Sequence, residues 1–348
     1  MASKWFVIKR LLLLIPVLIG ISTVVFAILH LGGNDPAAVM AGQGASQEQI
    51  ETIRSELGFD DPIWVQYTRF LSDVSQFDFG ESYVLKPGQP VWGSILADKL
   101  PVTIELAIYG QLFGVMLGVP LGVLSAIKQN SLTDHITRIG ALAGISVPIF
   151  WSGPLLIILF ANILGVLPAS SRIDTQYFIE GPWAFFGHEL PLTGLMTIDT
   201  LLLGNIDAFV SAVEHLLLPA AVMGIYSMAL ISRMMRSSML EVVRQDYIRT
   251  ARAKGQGQKI TMLKHGLKNA FIPVITVIGI QFGTMLGGAV LTETVFGISG
   301  LGVILVNAIQ AGDYPVVQAA VLVFAMLFTL VNLTVDITYS YLDPRIQQ

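Results

Sequence analysis

Cysteine is absent from the 348 residues, and charge is scarce: only 13% of positions are Asp, Glu, Lys or Arg. Without thiols there are no disulfides and no thiolate metal sites. Soluble domains carry about 25% charged residues, so an ordinary soluble chain is excluded. No Gly-Lys dipeptide occurs, and the phosphate-cradling loop G-x-x-x-x-G-K-[ST] is therefore missing. The chain is expected not to bind ATP in that way and not to be an enzyme. Gly-x-Ser-x-Gly, the nucleophile elbow of many hydrolases, is missing too. The five histidines (30, 135, 188, 215 and 265) are scattered without metal-ligand spacing. No metal, cofactor or nucleic-acid partner is expected. Energy for any active process must come from an ion gradient or from a partner protein.

What the chain has in quantity is apolar surface: 53% of its residues are hydrophobic, and its mean hydropathy is +0.69. The apolar stretches run about 20 residues and do not alternate with period two, which favours an all-α integral membrane protein over a β-barrel. Six spans are expected, near 10–31, 101–128, 136–167, 213–231, 271–295 and 316–341. The organisation that follows is an N-terminal transmembrane helix in 1–31, an extracytoplasmic segment in 32–100 and a core of five transmembrane helices in 101–342.

Lys4, Lys9 and Arg10 precede the first span, and nine of the twenty Lys and Arg crowd into 233–268. With a cytoplasmic N-terminus, alternation places fifteen basic residues inside. Five lie outside: Arg54, Arg69, Lys86, Lys99 and Arg172. That bias predicts cytoplasmic N- and C-termini. A cleaved signal peptide is the alternative, but the apolar core from Leu11 to Leu29 exceeds the usual 7–15 residues, so a retained span is expected. The outer segment 32–100 is acidic. Ser46-Gln47-Glu48-Gln49 reads as a capping box opening a short helix, with Ile50, Ile53 and Leu57 on one face and Gly58 at its end. A second amphipathic stretch puts Trp64, Tyr67, Leu71 and Val74 on one side. A second outer segment, 168–212, holds Gly181-Pro182 and Pro191 and should form loops and short pieces.

Ion-coupled carriers usually place acids or bases at mid-depth. Here Glu105 lies near the outer start of the second span and Glu293 at the outer end of the fifth. Asp336, with Asn332, sits towards the cytoplasmic end of the sixth. No basic partner is visible within the spans. Glu105 and Glu293 are open to two readings, pathway lining or structural bonding; Asp336 favours structural bonding. Glu293 and Asp313 flank a link that contains Gly297, Gly300 and Gly302, so an acid there can be read as the mouth of a pathway.

The densest signal is the basic segment. It reads Asp246-Tyr247-Ile248-Arg249-Thr250-Ala251-Arg252-Ala253-Lys254-Gly255, then His265-Gly266-Leu267-Lys268-Asn269-Ala270, with Pro273 opening the next apolar run. A short cytoplasmic helix can dock in a cleft of a soluble partner, small residues such as Ala251 allow close approach, and Gly255 can end the helix with positive φ.

This segment resembles the coupling region of ABC-importer permeases in their peptide and nickel branch. Of the general family pattern, only Ala251, Gly255 and Leu267 survive literally; the branch pattern fits from Asp246 to Gly255 and from His265 to Pro273. Further landmarks agree: Asn34-Asp35-Pro36, Asp78-Phe79-Gly80-Glu81-Ser82, Thr292-Glu293-Thr294-Val295-Phe296, Asp313-Tyr314-Pro315 and Asp343-Pro344-Arg345. The insert Pro191-Leu192-Thr193-Gly194 with Ile198-Asp199-Thr200 looks like the dipeptide type. The resemblance implies the type I permease fold and a bacterial inner-membrane subunit that imports dipeptides or short peptides. It also implies a second related permease chain, two ATPase subunits and an extracytoplasmic peptide-binding protein. Asp246, Tyr247, Arg249, Thr250, Ala251, Gly255 and His265 would couple to the ATPase. Glu105, Glu293 and Asp313 are the candidates for the translocation pathway. An ion-coupled carrier, or the same ABC role with an oligopeptide, nickel or haem, is the alternative. Pro148, Pro154 and Pro219 are candidate kinks.

Overall fold

The computed structural model describes residues 4–31, 36–41, 44–56, 58–177, 179, 181–185 and 188–342. Asn34, Asp35, Leu57 and Asp343-Pro344-Arg345 lie outside them. The fold is helical: α1 (Lys4–Leu31), α2 (Pro36–Ala41), α3 (Gln47–Glu56), α4 (Ile63–Ser75), α5 (Leu100–Ile127), α6 (Leu132–Ser146), α7 (Ile149–Leu156), α8 (Met196–Leu202), α9 (Ile206–Val242), α10 (Asp246–Ala253), α11 (Gln258–Ile260), α12 (Leu267–Val295), α13 (Leu301–Ala311) and α14 (Tyr314–Leu342). A small antiparallel hairpin, Trp183–Phe185 with His188–Leu190, interrupts the second outer segment.

Among the described residues, five helices are long and apolar enough to cross a membrane, in α1, α5, α9, Gln258–Val295 and α14. The expected third span is not a straight rod. α6 and the run Ile149–Ile163 meet at a bend of 106°. The break falls at Pro148, which caps α7 with extended backbone (φ −61°, ψ 137°). Proline disfavours helical geometry in the residue before it, and Val147 is indeed extended (φ −83°, ψ 121°). Counted as one span, the bent pair makes six. Pro154 and Pro219, by contrast, lie inside continuous helices.

Two of the spans are longer than hydropathy indicates. α9 has 37 residues, roughly 55 Å at 1.5 Å per residue. It carries Arg233 and Arg236 on its last turns, beyond the expected end of the fourth span near residue 231. The fifth span begins at Gln258, not near Phe271, through a π-helical turn Thr261–Gly266. The basic segment is therefore mostly helical extension, with α10 between.

The chain packs as two compact units: Lys4–Thr103 with Ser299–Thr329, and Ile104–Ile298 with 330–342. In the unit containing α9, helices α5 and α9 are set together by glycine. A Cβ on Gly114 would stand 2.8 Å from Ser227 Cβ, on Gly118 2.9 Å from Ile231 Cγ2, and on Gly122 2.6 Å from the Ser232 carbonyl. The glycines recur every four residues, one per turn on one face, and let the backbones approach as in small-xxx-small packing. Ile231, Met235, Met239, Ala270 and Val274 close the core below them.

In the other unit the expected outer helices form. Ser46 and Gln49 make the reciprocal capping box, with Ser46 N donating to Gln49 Oε1 at 2.8 Å and Gln49 N to Ser46 Oγ at 3.3 Å. Gly58 then turns the chain with φ +68°. α4 lies against α1 through Tyr67, whose hydroxyl is 2.6 Å from Thr23 Oγ1 and whose ring meets Phe26 edge-on at 5.2 Å. Trp64, expected on that face, is 67% exposed. Val91, Ile95, Leu96, Leu301, Val316 and Val323 form the apolar core of this unit.

Candidate functional site

α10 is a short amphipathic piece with one anchor. Ile248 is fully buried, while Asp246, Tyr247, Arg249 and Thr250 are exposed and Ala251 is half-buried. After Lys254 the chain turns through Gly255 at φ +79°, the left-handed region that glycine alone enters without strain. Gly255 N donates to the Arg252 carbonyl at 2.9 Å. The two halves of the sequence motif are joined physically: Asn269 Nδ2 donates to the Tyr247 hydroxyl at 3.0 Å and to the His265 carbonyl at 3.1 Å. This bond ties α10 to the base of α12. Tyr247, Ile260 and Leu263 give the segment exposed apolar surface, at 41%, 56% and 54%.

At the start of α5, Glu105 is 2% exposed. It has the basic partner that was not visible in the spans. Arg172 Nη2 donates to Glu105 Oε2 at 2.6 Å, from a loop 67 residues away. Thr197 supplies its backbone N at 2.8 Å and its Oγ1 at 2.7 Å to Oε1. Arg172 also donates to the Gly194 carbonyl at 3.0 Å. The insert Pro191–Thr200 is knotted around Asp199, whose carboxylate accepts from Thr193 N, Thr193 Oγ1 and Gly194 N at 2.7–2.9 Å. The carboxylate of Asp174 accepts from Ser211 Oγ at 3.0 Å and lies 3.7 Å from His215 Nε2.

The other two candidate pathway acids are also sealed. Glu293 is fully buried, and its carbonyl accepts from Ile298 N at 2.8 Å. Asp313 is fully buried as well. Its carboxylate accepts from Ser82 Oγ at 2.6 Å and from the backbone N–H groups of Tyr83, Val84 and Leu85 at 2.9–3.1 Å. Asp313 is thus a turn anchor here, with no carboxylate surface to offer a peptide. Burial, and then the Asp313 carboxylate, push the Tyr83 phenol up to about 12.

One site gave no signal in the sequence. Asp134, fully buried at the start of α6, accepts from Arg236 Nε at 2.7 Å and Nη2 at 2.8 Å. Ser125 Oγ and Asn130 N complete its shell. The pair places the α5–α6 turn beside the last turns of α9, two segments that the charge pattern assigns to one face. No group of His, Asp and Glu suited to a metal occurs among the described residues.

The sequence matches known proteins over 98% of the chain. Residues 118–348 fit the family model described as "Binding-protein-dependent transport system inner membrane component", and residues 4–107 fit the N-terminal model of such membrane components. The chain belongs to that family. This permease is 45% identical over 342 residues to the dipeptide transport system permease protein DppB of Alkalihalophilus pseudofirmus, covering 98% of this chain and 99% of the relative. It is 44% identical to DppB of Escherichia coli K12, covering 98% of each. It is 45% identical to the di/tripeptide permease DppB of Pseudomonas aeruginosa, again covering 98% of each. A solved inward-facing structure of the MetNI methionine ABC transporter aligns with TM-score 0.50 at 16% identity over 70% of this chain and 93% of that one. That likeness concerns the fold: the permease is an all-α, multi-pass inner-membrane protein with the ABC-importer permease architecture.

Proposed function

We propose that this permease is one of the two transmembrane subunits of an ATP-driven importer for dipeptides. The observation that carries this is identity of 44–45% along 98% of the chain to relatives named as dipeptide permeases. Its partners are a second, related permease chain, two ATPase subunits and an extracytoplasmic peptide-binding protein. Both termini and the segment 233–270 lie in the cytoplasm, and 32–100 lies outside. α10 docks on an ATPase subunit through Asp246, Tyr247, Arg249, Thr250 and Ala251, while Gly255 and His265 shape its exit. The short helix with one buried anchor and an exposed face supports this reading. ATP-driven closure of the ATPases would switch the access state, which requires each ligand to favour one state. For Glu105, Glu293 and Asp313 a pathway role requires a second conformation in which the carboxylates are uncovered.

The test is reconstitution. The complex, purified through this chain, is expected to contain ATPase subunits and to take up a labelled dipeptide only with ATP inside and binding protein outside. Gradient-driven uptake by this chain alone would overturn the proposal.

A further inference from the structure

The middle and last turns of α6 (Thr137 to Ile145) and the last turns of α9 line an open cavity of about 420 Å3, within the range that holds a small organic ligand. α6 lines it with Arg138, Leu142 and Ile145, α9 with Ser232 and Arg233, and α5 with Ser125. Arg236 also borders the cavity, but its charge is taken up by Asp134 at 2.7 and 2.8 Å. Arg138 and Arg233 are exposed and have no hydrogen-bond or ion-pair partner among the described residues. An anion with several acceptor oxygens could meet both unpartnered guanidinium groups at once, and arginine's planar fork suits phosphate. The Asp134–Arg236 bond holds the two helices together, so the cavity exists before any ligand arrives.

The apolar wall narrows the ligand class. Ala141, Leu142 and Ile145 of α6 supply it, and Leu142 is 61% exposed. A free phosphate would use only the arginines. A phosphate diester bearing hydrocarbon chains would use both surfaces. We propose that this cavity binds the headgroup phosphate of an anionic phospholipid of the cytoplasmic leaflet, with Arg138 and Arg233 as its ligands and the acyl chains against Leu142 and Ile145. The proposal rests on the topology given above, which sets both arginines at the cytoplasmic surface. Basic pockets between transmembrane helices on that side suit acidic headgroups.

The experiment is native mass spectrometry of the full importer complex with phosphatidylglycerol, phosphatidylcholine or inorganic phosphate as the added probe. Wild type is expected to retain phosphatidylglycerol in preference to phosphatidylcholine, and millimolar phosphate is expected not to displace it. The double variant Arg138→Gln with Arg233→Gln leaves Asp134–Arg236 intact and should bind phosphatidylglycerol about thirtyfold more weakly. Lys128→Gln, a basic residue outside the cavity, should leave binding unchanged. Equal binding in wild type and double variant would overturn the site, as would an equal loss with Lys128→Gln or displacement by phosphate alone. Loss of the second permease chain from the double variant, with lipid retained, would assign the cavity to subunit pairing and overturn it too. Topology is checked separately with Arg138→Cys and a membrane-impermeant maleimide on intact cells. Labelling from outside would sink the topology and the lipid site with it. Labelling only after permeabilisation, with phosphatidylglycerol binding unaltered in the double variant, would sink the lipid site alone.

Discussion

Ser82 and Asp313 stand 231 positions apart, and their side chains share a hydrogen bond of 2.6 Å in a buried site. The same carboxylate receives three consecutive backbone N–H groups, those of Tyr83, Val84 and Leu85. Asp313 therefore fixes a turn that would otherwise leave part-buried donors unpaired. Asp313→Ala should destabilise its unit by about 3 kcal/mol, because three part-buried backbone donors and the buried Ser82 hydroxyl lose one charged acceptor, and a hydrogen bond to a charged group contributes about 1.5–3 kcal/mol. Ser82→Ala should cost only about 1 kcal/mol. Thermal inactivation of the detergent-solubilised complex measures both. An Asp313→Ala complex that melts with wild type would show the turn to be self-supporting.

The buried pair Glu105–Arg172 predicts strong non-additivity. Arg172→Ala leaves a carboxylate held by Thr197 but without its cation, and should cost about 3–5 kcal/mol. Glu105→Gln keeps the acceptor for Thr197 while removing the charge. The double variant should regain much of the loss of Arg172→Ala. If the two single losses simply add in complex yield and melting temperature, the residues do not act as a pair.

Gly118 and Gly288 separate packing from propensity. A Cβ on Gly118 would lie 2.9 Å from both Ile231 Cγ2 and the Met228 carbonyl, whereas one on Gly288 meets nothing within 4 Å. Gly118→Val should destabilise the membrane core by at least about 1–3 kcal/mol through overpacking. Gly288→Ala should be neutral or slightly stabilising. Expression and melting of the two variants decide this; equal tolerance would mean that α5 and α9 do not need their close approach.

At α10, Gly255→Pro should leave insertion intact but reduce uptake per ATP hydrolysed. Proline is held near φ −65° and cannot adopt +79°. Tyr247→Phe removes the bond from Asn269 and should lower the same ratio by a smaller factor, a few-fold for about 1 kcal/mol. Steady-state ATPase and uptake rates in proteoliposomes are the measurement. Uptake and hydrolysis falling in step would point to lost assembly, not lost coupling.

Features written in local chemistry could be read from the sequence. The capping box at Ser46, the turn at Gly255 and the extent of the apolar runs all depend on neighbours within a few positions. The glycines at 110, 114, 118 and 122 were equally local. Their spacing is the small-xxx-small signal, which hydropathy does not register. Other features had no local trace. Asp134 finds Arg236 102 positions on, and Glu105 finds Arg172 67 positions on. Pairings at such separations depend on which helix ends meet. Hydropathy also stops at the first charge, so it ended the fourth span before Arg233, although the helix runs on to Val242 because nothing breaks it. The elbow at Pro148 was visible as a proline, but its angle is set by what packs on either side.

The 37 residues of α9 form one uninterrupted helix, whose roughly 55 Å exceed the 40–45 Å of a bilayer with its headgroups. Near one end it touches Asp174 through Ser211 and His215; towards the other it holds Asp134 through Arg236. A beam of this length needs no relay of side chains to carry a displacement across the lipid, since both ends belong to one body. Its compliance is concentrated at Pro219, which has no N–H to give the carbonyl of His215. Stiffness at that proline therefore sets how much of a push at one surface arrives as tilt at the other.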